Sequence, residues 1–403
     1  MIKTFLNPFV VFLLMGSLLF SCEKDDMDIE VGEEDKEFRY VRLLVSDELN
    51  TDLSYLNPFN ETIESFHAQY PGSSLYATES KRYAALIHRS NNLLETFDTG
   101  LEFHGDHVDV RGTPKFGALI GNSAQPTHFK SSRGELITFN DGDGTLSFGK
   151  ESDIHTVGAE MESLDLGLEK HHGAMASFSD GTYAVTEKDY SIEGTLPEKV
   201  KIVDGDGNTV HEAVISTQGI HGNASDGVYA VFGSVDGILV VESDGNQKII
   251  DYPGDFGTAW IGSIYETNVS NKFIGFTATK GAYLIDVAEN SITAILEDTE
   301  IMKCVPSFDG NRLGLLLYSG VLKVYDLHTN SVDEEIQAIS LVDKDEEGKP
   351  NMKLTSKYAY VIFPNSGELW QIPITDDGIK KVYALGGRPY QLEILGYETN
   401  ESH

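Results

Sequence analysis

The chain of 403 residues carries 64 acidic and 30 basic side chains, a formal net charge of −34. Such a charge repels nucleic acid and anionic lipid heads while concentrating cations, which excludes nucleic acid as a partner. Two cysteines, one of them at the end of the leader, exclude a disulfide framework, so stability must come from a large apolar core.

Residues 1–21 read as a removable leader: Lys3 supplies the charge, an apolar run follows, and the run ends in Leu19-Phe20-Ser21-Cys22. The last four residues resemble the bacterial lipobox, which implies cleavage before Cys22 and lipidation of that residue. No later apolar run reaches about 18 residues, so no other membrane-crossing segment is expected. Residues 22–37 form an acidic tether with too few apolar groups to fold. Its opening, Glu23-Lys24-Asp25-Asp26, resembles the export signal of bacterial surface lipoproteins. The expected location is the outer membrane, exposed at the cell surface, with a periplasm-facing lipoprotein as the alternative.

From residue 38 to 398 the pattern changes to strands. Apolar runs bounded by Gly, Asn or Asp recur, as in Tyr83-Ala84-Ala85-Leu86-Ile87, Val228-Tyr229-Ala230-Val231-Phe232 and Tyr358-Ala359-Tyr360-Val361-Ile362. Each leads through a tight turn to a second strand. The strand ahead of each run is expected to begin near Leu75, His128, His172, His221, Ala259, Cys304, Lys353 and Tyr390. That interval, about 40 to 50 residues, is the period of a propeller blade. Residues 392–395 are left without a following strand, and residues 40–45 lack an inner strand of their own. Joining the two closes a ring and removes its exposed edge. The expected fold is therefore all-β: a β-propeller of eight four-stranded blades closed by its terminal strands, with seven blades as the alternative.

Histidine opens the inner strand in three successive blades: His128 in Gln125-Pro126-Thr127-His128-Phe129, His171-His172 ahead of Gly173, and His221 in Gly219-Ile220-His221-Gly222. The arrangement would set three imidazoles side by side at the channel mouth. Neutral imidazole suits zinc, which takes three or four N, S or O ligands. The fourth ligand is open among water, the other member of His171-His172, Asp141, and a group from His104-Gly105-Asp106-His107-Val108-Asp109. That last segment packs two imidazoles and two carboxylates into six residues, and an imidazole can be ligated or oriented by such neighbours. It falls between the third and fourth strands of blade one, which would normally face the opposite rim; whether it completes the first site or makes a second is open. Asp141-Gly142-Asp143-Gly144 and Asp204-Gly205-Asp206-Gly207 read as hairpin turns, since neither has the downstream glutamate of a calcium loop. Cys304 reads as a small core residue opening blade six. There is no Gly-x-Ser-x-Gly elbow and no His-Glu-x-x-His, so no catalytic set is expected.

These histidine motifs, with Leu196-Pro197 and Asp236-Gly237-Ile238-Leu239-Val240, resemble in order and spacing the periplasmic zinc metallochaperones of the AztD type. The resemblance covers most of the chain after the tether and is densest over residues 101–242. It implies a propeller that holds zinc at its channel and hands it to the solute-binding protein of a zinc importer. His104, His107, His128, His171, His172 and His221 are thereby candidate ligands or near neighbours. Two features depart from that family: Ser216-Thr217-Gln218-Gly219 stands where a cysteine is common, and a lipid anchor replaces a soluble form. The expected function is a non-enzymatic zinc-binding lipoprotein that captures or chaperones zinc for an uptake system. Its partners would be an importer's solute-binding protein or an outer-membrane transporter. The alternative is a surface adhesion or glycan-binding propeller with structural histidines.

Overall fold

The computed structural model describes residues 36–375 and 378–402; the expected leader, Cys22 and the tether up to residue 35 lie outside the described residues. Among the described residues, eight four-stranded antiparallel sheets account for all the strands but one added hairpin. The innermost strands of blades one to eight are Ser74–Ala77, Pro126–Ser132, Met175–Ser177, Ile220–Ser225, Ser263–Tyr265, Ile301–Pro306, Asn351–Leu354 and Pro389–Tyr397. This is the expected eight-bladed propeller.

Burial explains why the apolar runs take the second place in each blade. Tyr83–His88 is buried at every position because blades cover it on both faces, whereas the outermost Thr62–His67 is mostly exposed. Nearly continuous Val, Leu, Ile and Ala are tolerated only in the first setting. Core clusters accordingly form between blades. Leu44, Leu53 and Leu395 of blade eight meet Leu75, Leu86 and Phe97 of blade one. Leu43, Val45, Leu392 and Ile394 meet Tyr358, Tyr360 and Ile362 of blade seven.

The ring closes as the sequence predicts. Tyr40–Asp47 pairs antiparallel with Pro389–Tyr397, with Val41 opposite Gly396, Leu43 opposite Ile394 and Val45 opposite Leu392. Just upstream, Glu37 is fully buried. One of its oxygens accepts hydrogen bonds from the Tyr360 and Thr355 hydroxyls, each at 2.7 Å, and the other accepts the Phe38 N–H at 2.8 Å. Burial raises this carboxyl above its ordinary range despite those bonds.

Three strand starts differ from expectation by three residues or more, that of blade three, at Met175 rather than His172, and those of blades five and six. The inner strand of blade five begins at Ser263 rather than near Ala259, after a looped approach. Blade six begins at Ile301, and Cys304 points into the core between blades five and six. The cause is a shift in register at the head of the strand. Pro126 pairs Asn140 and His128 pairs Phe139; in blade six Ile301 pairs Leu317 and Lys303 pairs Leu316. Such a bulge turns side chains by one place, so Lys303 fills the slot of His128.

Removing residues 389–403 would expose the edge of Tyr40–Asp47 and strip Leu392, Ile394 and Leu395 from two cores. Three buried aliphatic side chains stabilise by about 5 kcal/mol or more. The truncated protein should melt at a markedly lower temperature than the full chain; an unchanged melting curve would show that closure does not hold the ring.

Candidate metal centre

The shared slot brings His128, His172 and His221 together at one rim of the channel. Ring centres lie 5.0 Å apart for His128 and His172, 5.2 Å for His172 and His221, and 6.2 Å for His128 and His221. Each ring reaches the mouth differently. His128 lies on its strand, His221 is the second residue of its own, and His172 precedes Met175–Ser177 on a looped approach.

Two of the rings are oriented from behind. His172 Nδ1 donates to Asp141 Oδ2 at 2.8 Å, and His221 Nδ1 donates to the Gly262 carbonyl at 2.6 Å. A carboxylate and a carbonyl can only accept, so both rings carry their proton on Nδ1 and present the Nε2 lone pair elsewhere. Asp141 is held in turn by Arg89, whose Nη2 donates to the same oxygen at 3.1 Å. Burial would raise the Asp141 carboxyl, but the bonds from His172 and Arg89 outweigh it and hold it below the ordinary range. The Gly262 contact needs a glycine at 222. Gly222 has φ +76°, and a Cβ there would stand 2.6 Å from the Gly262 oxygen.

His128 has no such partner, and its pKa is pushed down to about 4, first by burial and then by the neighbouring His172. It is therefore neutral at physiological pH. His171 points away from the cluster. Its Nδ1 donates to the Glu169 carbonyl at 2.7 Å, its Nε2 meets the Thr186 hydroxyl at 3.0 Å, and its ring packs on Phe139. With both nitrogens engaged and burial lowering its pKa, it anchors the loop that carries His172. Asp141 is engaged likewise, Oδ1 accepting from the Gly173 N–H at 3.4 Å.

His104 and His107 lie elsewhere. Leu101–His104 and His107–Val110 form a hairpin that packs at the far end of blade eight's inner strand, Phe103 against Tyr397. Pro389, at the start of that strand, lies at the histidine rim. Eight residue steps place the hairpin roughly 25 Å away along the strand. There, one ligand atom each from His104, His107 and Asp109 converge within 4.8 Å of one another. Asp109 already holds Arg111 at 2.8 Å, and His104 is 66% exposed, so a cation there would compete with a guanidinium and with solvent.

Sequence reasoning placed the three rings together and named Asp141, but read its segment only as a turn. It had no signal for Arg89 or for the Gly262 carbonyl, since neither backbone acceptors nor inter-blade partners show in a repeat.

No family model matches the chain. Among solved structures, Citrobacter koseri AztD superposes with a TM-score of 0.80 at 18% identity, covering 90% of this chain and 100% of that one. The apo form of the same protein gives 0.78 at 18% identity, covering 89% and 98%. The dihydro-heme d1 dehydrogenase NirN gives 0.59 at 12%, covering 93% and 77%. At these identities the likeness is one of fold.

The depressed pKa of His128 has a consequence for stability. Below pH 6.5 the unfolded chain protonates this ring while the folded one does not, so stability is lost as pH falls from about 6.5 towards 4. Denaturant titrations of metal-free protein should show the parent losing roughly 2 to 3 kcal/mol relative to His128→Gln across that window. A constant difference between the two would contradict it.

Proposed function

We propose that this protein is a zinc carrier whose cargo ion binds at the channel mouth through ring nitrogens of His128, His172 and His221. The observation that carries the reading is the spacing. Three imidazoles whose nitrogens lie about 2.0–2.1 Å from one tetrahedral zinc have ring centres roughly 5 Å apart, and two of the three spacings here are 5.0 and 5.2 Å. Closing the third by about 1 Å completes the set. Asp141 and the Gly262 carbonyl supply the outer hydrogen bonds that raise imidazole basicity towards a metal. The fold shared with AztD and the histidine motifs of that family support the same reading. Three ligands leave one coordination position for water or for a group offered by an acceptor, through which an ion can be passed on. The reading is non-enzymatic because Asp141, the carboxylate beside the rings, has both oxygens engaged and is a poor general base.

The hairpin ligands His104, His107 and Asp109 would form a second, weaker cation position at the other rim. In this reading the protein is an outer-membrane lipoprotein held through Cys22. It captures zinc outside and supplies an uptake system, either a transporter in that membrane or an importer's solute-binding protein.

Competition titration against a chromophoric zinc chelator tests the site. His128→Ala, His172→Ala and His221→Ala should each weaken binding by about a hundredfold or more, while His171→Ala acts mainly on stability and His328→Ala on neither. His104→Ala should remove at most a second, weaker equivalent. Parental affinity in the first three variants would sink the reading, and a metal-free parent would favour a binding propeller with structural histidines.

Anchoring is tested separately. Cys22→Ala should move the protein from the membrane fraction to the soluble one, and replacing Lys24, Asp25 and Asp26 with alanine should leave it on the membrane but shielded from external protease. Retention of the first variant on membranes would rule out the lipid anchor.

A further inference from the structure

Lys130 follows His128 by two residues on the same strand, so its side chain leaves the same face roughly 7 Å deeper in the channel. It then crosses the channel rather than following the wall. Its ammonium meets Glu266 Oε1 of blade five at 2.6 Å and lies 3.5 Å from the Asn223 carbonyl of blade four. Asn223 is two residues beyond His221, and the same Glu266 oxygen accepts from the Ser225 N–H at 3.4 Å, which sets the pair one level below the rings. Blade three, which lies between blades two and four, contributes the short side chains Ala176 and Ser177 to the lining of the space below. At the matching depth across the ring, Lys353 and Glu393 join at 2.8 Å. Beneath them the channel widens towards the opposite rim into a cavity of about 720 Å³. Ser131, Ser177, Ser225 and Glu79 line part of it.

We propose that the Lys130–Glu266 pair straps the channel shut under the histidines and makes the metal site one-ended. This rests on the zinc reading above. A dication moving inward from the rings meets side chains laid across its path, and the two carboxylates at that level, Glu266 and Glu393, are each already paired with an ammonium and so do not draw it down. Cargo therefore arrives and leaves by the histidine rim, and the large cavity is not on its route. Lys130 and Glu266 are positioning residues in this scheme: they act on the path of the ion and not on its ligands.

The test compares zinc loading and chelator-driven zinc release, by stopped flow, in the parent and in Lys130→Met/Glu266→Gln, which removes the strap without leaving a free carboxylate. Both side chains reach solvent, at 26% and 51% exposure, so the double variant should fold, as a thermal melt will show. Opening a second route accelerates loading and release by the same factor, about tenfold for about 1.4 kcal/mol taken off the inner barrier, and leaves the equilibrium affinity unchanged. Lys130→Arg keeps the charge and the pair and should keep the parental rates. Unchanged rates in the double variant, or faster release alone with weakened affinity, would overturn the proposal, the latter by showing that the pair merely buttresses His128. A parent that binds no zinc would remove the zinc reading and this inference together, and equilibrium binding of the parent, measured first, identifies that case.

Discussion

Everything at the channel depends on one antiparallel pairing, that of the C-terminal strand Pro389–Tyr397 with Tyr40–Asp47. A propeller is a set of sheets that touch only their neighbours, and an unclosed ring leaves two blades with one face in water. Here Leu392, Ile394 and Leu395 fill clusters on both sides of the closing blade, so the inner strands are held at a fixed circumference. That fixed circumference is what lets three histidines from separate blades meet with ring centres 5.0 to 6.2 Å apart.

At the rim, the precision comes from polar groups behind the rings. Asp141 serves His172 from the neighbouring blade's turn, and the Gly262 carbonyl serves His221 across the blade four to blade five boundary. Each bond ties adjacent blades as well as setting a tautomer. Gly222 is the local concession that lets the second of these form, since any side chain would push the carbonyl back. His128 lacks such a support and relies on desolvation to stay neutral. The same cluster thus combines two rings fixed by hydrogen bonds with one fixed by its environment.

Blade count, closure and the histidine slot were legible in the sequence because each leaves a periodic trace. The echo of Gln125-Pro126-Thr127-His128-Phe129 in Arg388-Pro389-Tyr390-Gln391-Leu392 reports a shared backbone register, and Pro126 and Pro389 do occupy equivalent places. What escaped was anything that hangs on a single-residue shift. Cys304 and Lys303 are neighbours, and only the bulge after Ile301 decides which faces the channel. His171 and His172 likewise differ by one residue, and the hydrogen bonds of His171 to Glu169 and Thr186, invisible in the pattern, separate anchor from candidate ligand. Lys130 sat in plain view beside His128, but its partner is 136 residues away and no local rule links them.

Glu37 gives the molecule a mechanical character. Its carboxylate is locked to Tyr360 and Thr355 of blade seven before the chain reaches the closing blade at Tyr40. Tension arriving from the N-terminal side is therefore borne first by a buried two-bond clasp on a different blade. The seam at Tyr40–Asp47 stays unloaded until that clasp yields, so a pull from the N-terminus does not unzip the ring along its closing strands.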